Sequence, residues 1–556
     1  MKRKWWHDQI AYQIYPKSFY DSNGDGIGDV RGIIEKLDYL KDLGIGLLWL
    51  SPIYPSPLAD EGYDISDYYG VDPRFGSLED VGELIAEAKK RGIRIVMDLV
   101  VNHCSDEHEW FRKACEDPDG PYGSYFYIRH FQPDGAPPTN WRSFFGGSAW
   151  EALPGHPDRC YLHAFHKKQP DLNWENAALR EEIFKNINWW LDKGLGGFRV
   201  DAIIYIKKPD VFHDYPADRS DGMSSFANIL KDAHGIGDFL GEMQARAFAP
   251  HDAFSVGEVL GEKPGALAEF IGENGYFSSI FDFEEDNFGF SEKGWYDRTP
   301  CLPEDYKQCV FRAQKKAEGI GFFSNIIENH DEARGVSRYI PADELCADAK
   351  KALAAAYFFM RGIPFIYQGQ ELGMENLVFH STDEFSDCSS FDQYETALAA
   401  GCTEEEALDS VSRYSRDNAR TPMQWTGGHA AGFTTGTPWY RVNPNYTEVN
   451  AEKELKDPDS VLHFYRKMAA LRRDLRYKDT FVYGEFIPWL PEQKNLLAYI
   501  RSGSPSVLVA VNMQKEAQTV ACPETAATIL LSNRPAEGPV SGTIRLAGWQ
   551  AVVVEL

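Results

Sequence analysis

Short runs of β-branched and aromatic residues alternate along this chain with stretches whose apolar positions recur at helical spacing, the signatures of strands and amphipathic helices. Strands are predicted over residues 10–15, 47–50, 94–101, 197–203, 253–259, 278–283, 322–329 and 364–368, and helices over 33–43, 78–91, 179–193, 342–360 and 460–475. Eight strand–helix alternations without a Gly-rich phosphate fingerprint predict an α/β chain closed into a (β/α)8 TIM barrel, more economically than an open doubly wound sheet. Two segments break the rhythm. Residues 104–173, rich in Pro, Gly and aromatics without a helical period, predict a loop-rich domain inserted after the third strand, and residues 374–458 form a second long connection. Beyond residue 480 the pattern is strand only (480–489, 495–501, 506–512, 528–531 and 543–556), which predicts a C-terminal antiparallel β domain. The layout is a barrel of residues 1–103 and 174–479, an inserted domain of 104–173 and a β-sandwich of 480–556.

Composition narrows the partners. With 57 Lys plus Arg against 84 Asp plus Glu, the formal charge is −27 and no long basic run offers phosphates a foothold, so no nucleic-acid partner is expected. Aromatics make up 14% of the 556 residues, enough for a core and for flat faces on which sugars stack. The basic start, Met-Lys-Arg-Lys-Trp-Trp, is not followed by an apolar run of signal-peptide length, and no apolar stretch is long enough to cross a membrane. The nine cysteines are scattered without a C-x-x-C pair. A soluble, cytoplasmic, monomeric protein with reduced thiols and no membrane partner is expected.

In such barrels catalytic groups sit at the carboxyl ends of strands. The third predicted strand ends Asp98-Leu-Val-Val-Asn-His103, the fourth Gly197-Phe-Arg199-Val-Asp201, the fifth Val256-Gly-Glu258, and the seventh Glu328-Asn-His330-Asp331. Each alone is ordinary, since a strand-end Asp often caps a helix and a lone His is often packed. Together they bring three carboxylates, two histidines and an arginine to one opening.

These four segments, in this order and with these separations, resemble the four short motifs of the α-amylase superfamily of glycoside hydrolases (family 13). More narrowly, Ala11-Tyr-Gln-Ile-Tyr-Pro-Lys-Ser-Phe19, Gln169-Pro-Asp-Leu-Asn-Trp174 and Arg416-Asp-Asn-Ala-Arg-Thr-Pro-Met-Gln-Trp425 resemble the oligo-1,6-glucosidase, dextran glucosidase and α-glucosidase branch, exo-acting on short α-glucosides. The resemblance implies Asp201 as nucleophile, Glu258 as acid/base and Asp331 as the carboxylate that grips ring hydroxyls. The chemistry asks for such a set: an oxocarbenium-like transition state wants one carboxylate at the anomeric carbon and one carboxylic acid beside the leaving oxygen. Arg199, two residues before Asp201, shares its strand face and can hold Asp201 ionised. The resemblance further implies a pocket for one terminal glucose: Asp64 bridged to Arg416, His103 and His330 on hydroxyls, Tyr63 and Phe165 as the hydrophobic platform, and Arg420 bracing the Arg416 loop.

Asp21-Ser-Asn23-Gly-Asp25-Gly-Ile27-Gly-Asp29 follows the D-x-N-x-D-G spacing of a calcium loop, with Gly32 where a full EF-hand has a bidentate Glu. A structural Ca²⁺ on Asp21, Asn23, Asp25, the Ile27 carbonyl and Asp29 is expected, as in similar loops of this branch; catalysis itself asks for no cofactor. Linkage preference is open at Ala202, where Val goes with α-1,6 cleavage in the branch and smaller or hydroxylated residues with α-1,4, and at Leu260, where dextran glucosidases often have Trp. α-1,6 hydrolysis of isomaltose-like oligosaccharides is the expectation. Sucrose isomerisation or cleavage, trehalose-directed chemistry and a non-enzymatic transporter scaffold are the alternatives on the same fold.

Overall fold

The computed structural model describes residues 2–219, 221–259, 265–281, 291, 293–523, 527–536 and 542–556. Eight parallel strands close on themselves: β1 (Ala11–Ile14), β2 (Leu47–Leu50), β3 (Arg94–Val100), β4 (Gly197–Asp201), β5 (Phe254–Gly257), β6 (Ser279–Phe281), β7 (Phe323–Asn325) and β8 (Ile363–Tyr367). Each pairs with its successor and β8 returns to β1, so every predicted barrel strand is present. β6 and β7 are shorter than predicted, and residues 282–283 of the predicted sixth strand lie outside the described residues.

The pleat divides each strand between two cores. Val96 on β3 and Phe254 and Val256 on β5 point into the barrel, packed with Trp49, Phe281 and Phe365, while Met97, Leu99, Phe198 and Val200 face the surrounding helices. Because faces alternate every residue, Asp98, Arg199, Asp201 and Glu258 inherit the inward direction of Val96, Gly197 and Val256. Gly197 is required there. Its φ is +151° and an added Cβ would lie 1.7 Å from the Phe254 carbonyl oxygen of the adjoining strand.

Helices cover the barrel largely where the periodicity places them. Leu78–Lys90 starts in a reciprocal Ser77/Asp80 capping box and buries Val81, Leu84, Ile85 and Ala88. Ala177–Asp192 is capped by Asn176 and Val461–Arg473 by Ser460. The predicted 33–43 helix is two, Val30–Glu35 and Leu37–Leu43, broken at Lys36. The predicted 342–360 helix is Ala347–Phe358, preceded by a separate turn Ala342–Glu344.

The inserted domain is more than loops. It holds the helix Glu109–Glu116 and a three-stranded antiparallel sheet of Ile128–His130, His156–Leu162 and Trp150–Leu153. Its short strand Trp141–Arg142 pairs with Ser224–Ser225, and Trp141 and Trp150 share a buried cluster with Tyr205 and Phe226, so the segment after β4 anchors it. The predicted 480–489 strand is also corrected: Lys478–Tyr483 is helical and the first strand of the C-terminal sheet is Phe486–Pro488. Thr480, Phe481 and Val482 read as β-formers locally, but burial on the barrel side decides their conformation. Five strands form one sheet, and Gln518–Ala521, which no prediction covered, pairs with Thr543–Leu546.

Gly197→Ala is expected to destabilise the fold by about 2 kcal/mol or more, because the methyl must displace β5 backbone. Urea unfolding of the variant against wild type measures this, and an unchanged midpoint contradicts the packing described.

Candidate active site

The centre of the site is one guanidinium. Arg199 is adjacent in register to Asp98 on β3 and to Val256 on β5. Its Nη1 donates to Asp98 Oδ1 at 2.7 Å and to Asp201 Oδ1 at 2.6 Å, and its Nη2 lies 2.9 Å from Glu258 Oε2. Asp98 is further fixed by Trp49 Nε1 at 3.0 Å and the Tyr63 hydroxyl at 3.1 Å. Two carboxylates from neighbouring strands therefore stand side by side on the two terminal nitrogens of a single cation. Glu258 has a second anchor: the Ala202 amide donates to its Oε2 at 2.9 Å. Ala202 sits at φ 44°, ψ 31°, and this left-handed step ends β4 and aims that amide back at the acid.

Burial pushes the Asp201 carboxyl up, Arg199 pulls it back, and the charges of Glu258, Asp98 and Asp331 push it up again, with a net rise. Asp331 goes the other way. Although burial would raise it, His330, Arg416 and Arg420 hold it well below the usual carboxylate range. Its Oδ1 lies 3.2 Å from Arg416 Nη1 and 3.1 Å from Arg420 Nη2, and His330 Nε2 is 2.9 Å from Oδ2. One cluster thus sets Asp331, held as an anion, beside Asp201, which burial and neighbouring carboxylates shift the other way.

These carboxylates line a cavity of about 370 Å³ together with Asp60, His103 and Arg416. Its other walls are aromatic: Tyr63, Phe144, Phe145, Phe165 and Tyr205. Phe144 stacks on Phe165 with centroids 5.1 Å apart, and Tyr205 meets Phe165 edge-on at 5.6 Å. Tyr63 and Phe165 are therefore where the sequence reading put them, while Phe144, Phe145 and Tyr205 went unrecognised. Burial pushes the His103 imidazole down, so it enters the site as a neutral ring. Asn102 donates to its Nδ1 at 3.2 Å, and its Nε2 donates to the Tyr63 carbonyl at 3.1 Å. Lys208, fully buried on Asp171 at 2.7 Å and Asn102 at 3.0 Å, ties the start and end of the inserted domain together beneath it.

The expected Asp64–Arg416 bridge is corrected. Asp64 is fully buried and accepts from Ser56 Oγ at 2.8 Å and the Ala59 and Asp60 amides at 2.8 and 3.2 Å, so it folds its own loop. Arg416 turns instead to Asp387, through Nη2 at 2.5 Å and Nε at 2.9 Å, to Asp331, and to Asp60 at 3.5 Å. Asp60 and Asp387 come from the loops after β2 and β8, and Arg416 joins them across the barrel mouth. His330 is likewise corrected: it is fully buried behind the wall, bonded to Gln13, Asp331 and the Tyr63 hydroxyl, and it orients them without reaching the cavity. Arg420 braces the Arg416 loop as expected, on Asp331 and the His330 carbonyl at 3.1 Å.

The 21–29 loop is held by Asx turns. Asp21 accepts from the Asn23, Gly24 and Gly26 amides and from Thr434, Asn23 from Asp25, and Asp25 from Ile27, while Asp29 caps the following helix. The donors are hard oxygens suited to calcium. Among the described residues, however, no three acidic, His or Cys side chains gather closely enough to hold a metal. Leu260 lies outside the described residues.

The barrel, its insertion and this convergence define a glycoside hydrolase. The α-amylase catalytic-domain family matches residues 13–483, and the chain belongs to that family, in the oligo-1,6-glucosidase branch. It is 40% identical to the oligo-1,6-glucosidase of Parageobacillus thermoglucosidasius over 564 aligned positions, covering 100% of both chains. It is 43% identical to the probable oligo-1,6-glucosidase 3 of Bacillus subtilis, covering 92% of this chain and 91% of that one. Among solved structures, the trehalulose synthase MutB of Pseudomonas mesoacidophila superposes with a TM-score of 0.93 at 38% identity over 100% of each chain.

Burial raises the Asp64 carboxyl to about 6 from the ordinary 3.8. The folded chain then binds a proton that the unfolded chain releases, so this group's contribution to stability falls as pH rises from 3.8 to about 6. Wild type should lose stability relative to Asp64→Asn across that window, by at most about 1.4 kcal/mol per pH unit. Urea unfolding at several pH values reads the difference, and a difference independent of pH contradicts the assignment.

Proposed function

We propose that this chain is a retaining, exo-acting α-glucosidase that removes terminal α-1,6-linked glucose from isomaltose-like oligosaccharides, with α-1,4 linkages as secondary substrates. The observation that carries the proposal is the shared grip of Arg199 on Asp201 and Glu258 at the floor of an aromatic-walled cavity. Carboxyl groups held side by side on one guanidinium suit the separation of about 5–5.5 Å used by retaining enzymes, in contrast to the wider gap of inverting ones that admits a water. The oligo-1,6-glucosidase relatives support the linkage.

Asp201 attacks the anomeric carbon while Glu258, as the acid, delivers a proton to the departing glycosidic oxygen. Arg199 and the Ala202 amide occupy Glu258 Oε2, which leaves Oε1 for that proton. The glucosyl–Asp201 ester is then opened by water, whose proton returns to Glu258, and the α-configuration is kept. Asp331, fixed as an anion, accepts from ring hydroxyls and favours the positive charge that develops at the transition state. The Asp60–Arg416–Asp387 bridge closes the cavity beyond the terminal sugar, which supports release of single glucose units from chain ends.

We further infer that the 21–29 loop takes a structural Ca²⁺ through Asp21, Asn23, Asp25, Asp29 and the Ile27 carbonyl, which the hard-oxygen donor set supports. Monomeric action in the cytoplasm completes the proposal; the nine cysteines form no disulfide with one another, which suits a reducing compartment.

Isomaltose, panose, maltose, sucrose and trehalose are the informative substrate panel. Isomaltose and panose should turn over fastest, NMR should find α-glucose as the first product, and Asp201→Asn should lose about 10⁴-fold or more in kcat. Conversion of sucrose into isomaltulose or trehalulose as the main activity would favour the isomerase alternative, and wild-type turnover by Asp201→Asn would remove Asp201 from the mechanism.

For the metal, adding Ca²⁺ after chelation should raise Tm in wild type but not in Asp25→Asn, which keeps the acceptor for the Ile27 amide. An equal Tm with and without Ca²⁺ in wild type refutes calcium binding.

A further inference from the structure

Far from the cavity, two arginines are buried without counter-charges. Arg472 lies near the end of the helix Val461–Arg473 and Arg501 ends the strand Leu496–Arg501 of the C-terminal sheet; they are 1% and 0% exposed. Both reach the same turn between the helix Ala347–Phe358 and β8. Arg472 Nη2 donates to the Gly362 carbonyl at 2.7 Å, Arg501 Nη1 to the Phe359 carbonyl at 2.6 Å, and Arg501 Nη2 to the Gly484 carbonyl at 2.7 Å. Among the described residues neither forms an ion pair, and Arg472 Nε and Nη1 and Arg501 Nε have no hydrogen-bond partner. The surroundings carry both signs: Arg361, acted on by Glu318 and Glu485, stands in the same turn, and Arg473 follows Arg472. The nearest influential carboxylate for Arg472, Asp8, is taken up by Lys478 and by Gln9 at 2.7 Å. Burial lowers both guanidiniums, Arg472 to about 10 and Arg501 to about 9, which still leaves them charged at neutral pH.

Carbonyls and water can satisfy N–H groups, but they do not neutralise two cations that act on each other in a low-dielectric interior, where an uncompensated charge is strongly unfavourable. We propose that Arg472 and Arg501 bind a small monovalent inorganic anion, of the chloride class, which accepts from Arg472 Nε and Nη1 and Arg501 Nε at the junction of barrel and C-terminal domain. The near-complete burial of both side chains leaves a polyatomic or organic anion little access. The anion would tie the last barrel helix, the turn before β8 and the C-terminal sheet into one charge-neutral joint.

Two measurements on the full-length protein test this. Thermal unfolding in sodium chloride or bromide should give a saturable Tm rise of about 2 °C or more over sodium gluconate at matched ionic strength. The rise should vanish in Arg501→Met and in Arg472→Met. Should neither variant fold, crystals of wild type soaked in bromide should show an anomalous peak within hydrogen-bonding distance of both guanidiniums. A Tm that is the same in gluconate and halide, or bromide-soaked crystals with only water between Arg472 and Arg501, overturns the proposal.

Discussion

A buried cation among carboxylates governs this protein. Asp98, Asp201 and Glu258 could not be placed together at the top of a barrel on their own, because three like charges in a low-dielectric pocket would take up protons or separate. Arg199 makes the cluster tenable, and its position follows from the pleat: it occupies the inward face of β4, flanked in register by the strands that carry two of its partners. Asp201 lies two residues further along the same face. The inner packing of Trp49, Val96, Phe254, Val256 and Phe281 matters to catalysis for this reason, since it fixes the register from which that guanidinium projects.

The charge arrangement divides into two halves with different duties. Around Arg199, one cation serves several carboxylates, and burial with the neighbouring negative charges leaves Asp201 shifted up. Around Asp331, two arginines and a histidine serve one carboxylate, which is thereby denied a proton. The same functional group is thus shifted in opposite directions through unequal ratios of positive to negative neighbours. Arg416 links the two halves to substrate selection, since the side chain that fixes Asp331 also reaches the loops after β2 and β8.

Much of this was legible in the sequence, for identifiable reasons. Strand runs and the rule that barrel sites form at the carboxyl ends of strands place Asp201, Glu258, Arg199 and Asp331 at one opening without coordinates, and the motif resemblance supplies their expected roles. Asp60 and Asp387 could not be placed this way. Both lie in loops without a period, and Asp64, four residues from Asp60, offered the same side chain in a more conspicuous setting; only the fold of the loop shows which carboxylate faces out. The family resemblance implied a hydroxyl contact for His330, whereas Gln13 and Tyr63 hold it behind the wall. The strands of the inserted domain and the helix Lys478–Tyr483 escaped for a related reason: they are short, and long-range burial outweighs local preference.

The backward step of the chain at Ala202 joins two properties that are usually tuned apart. A single residue both lines the cavity and supplies the amide bonded to Glu258. A larger or branched side chain at that position would have to occupy a backbone conformation it disfavours by roughly 1–3 kcal/mol. A change at this position therefore acts on the cavity wall and on the support of Glu258 together.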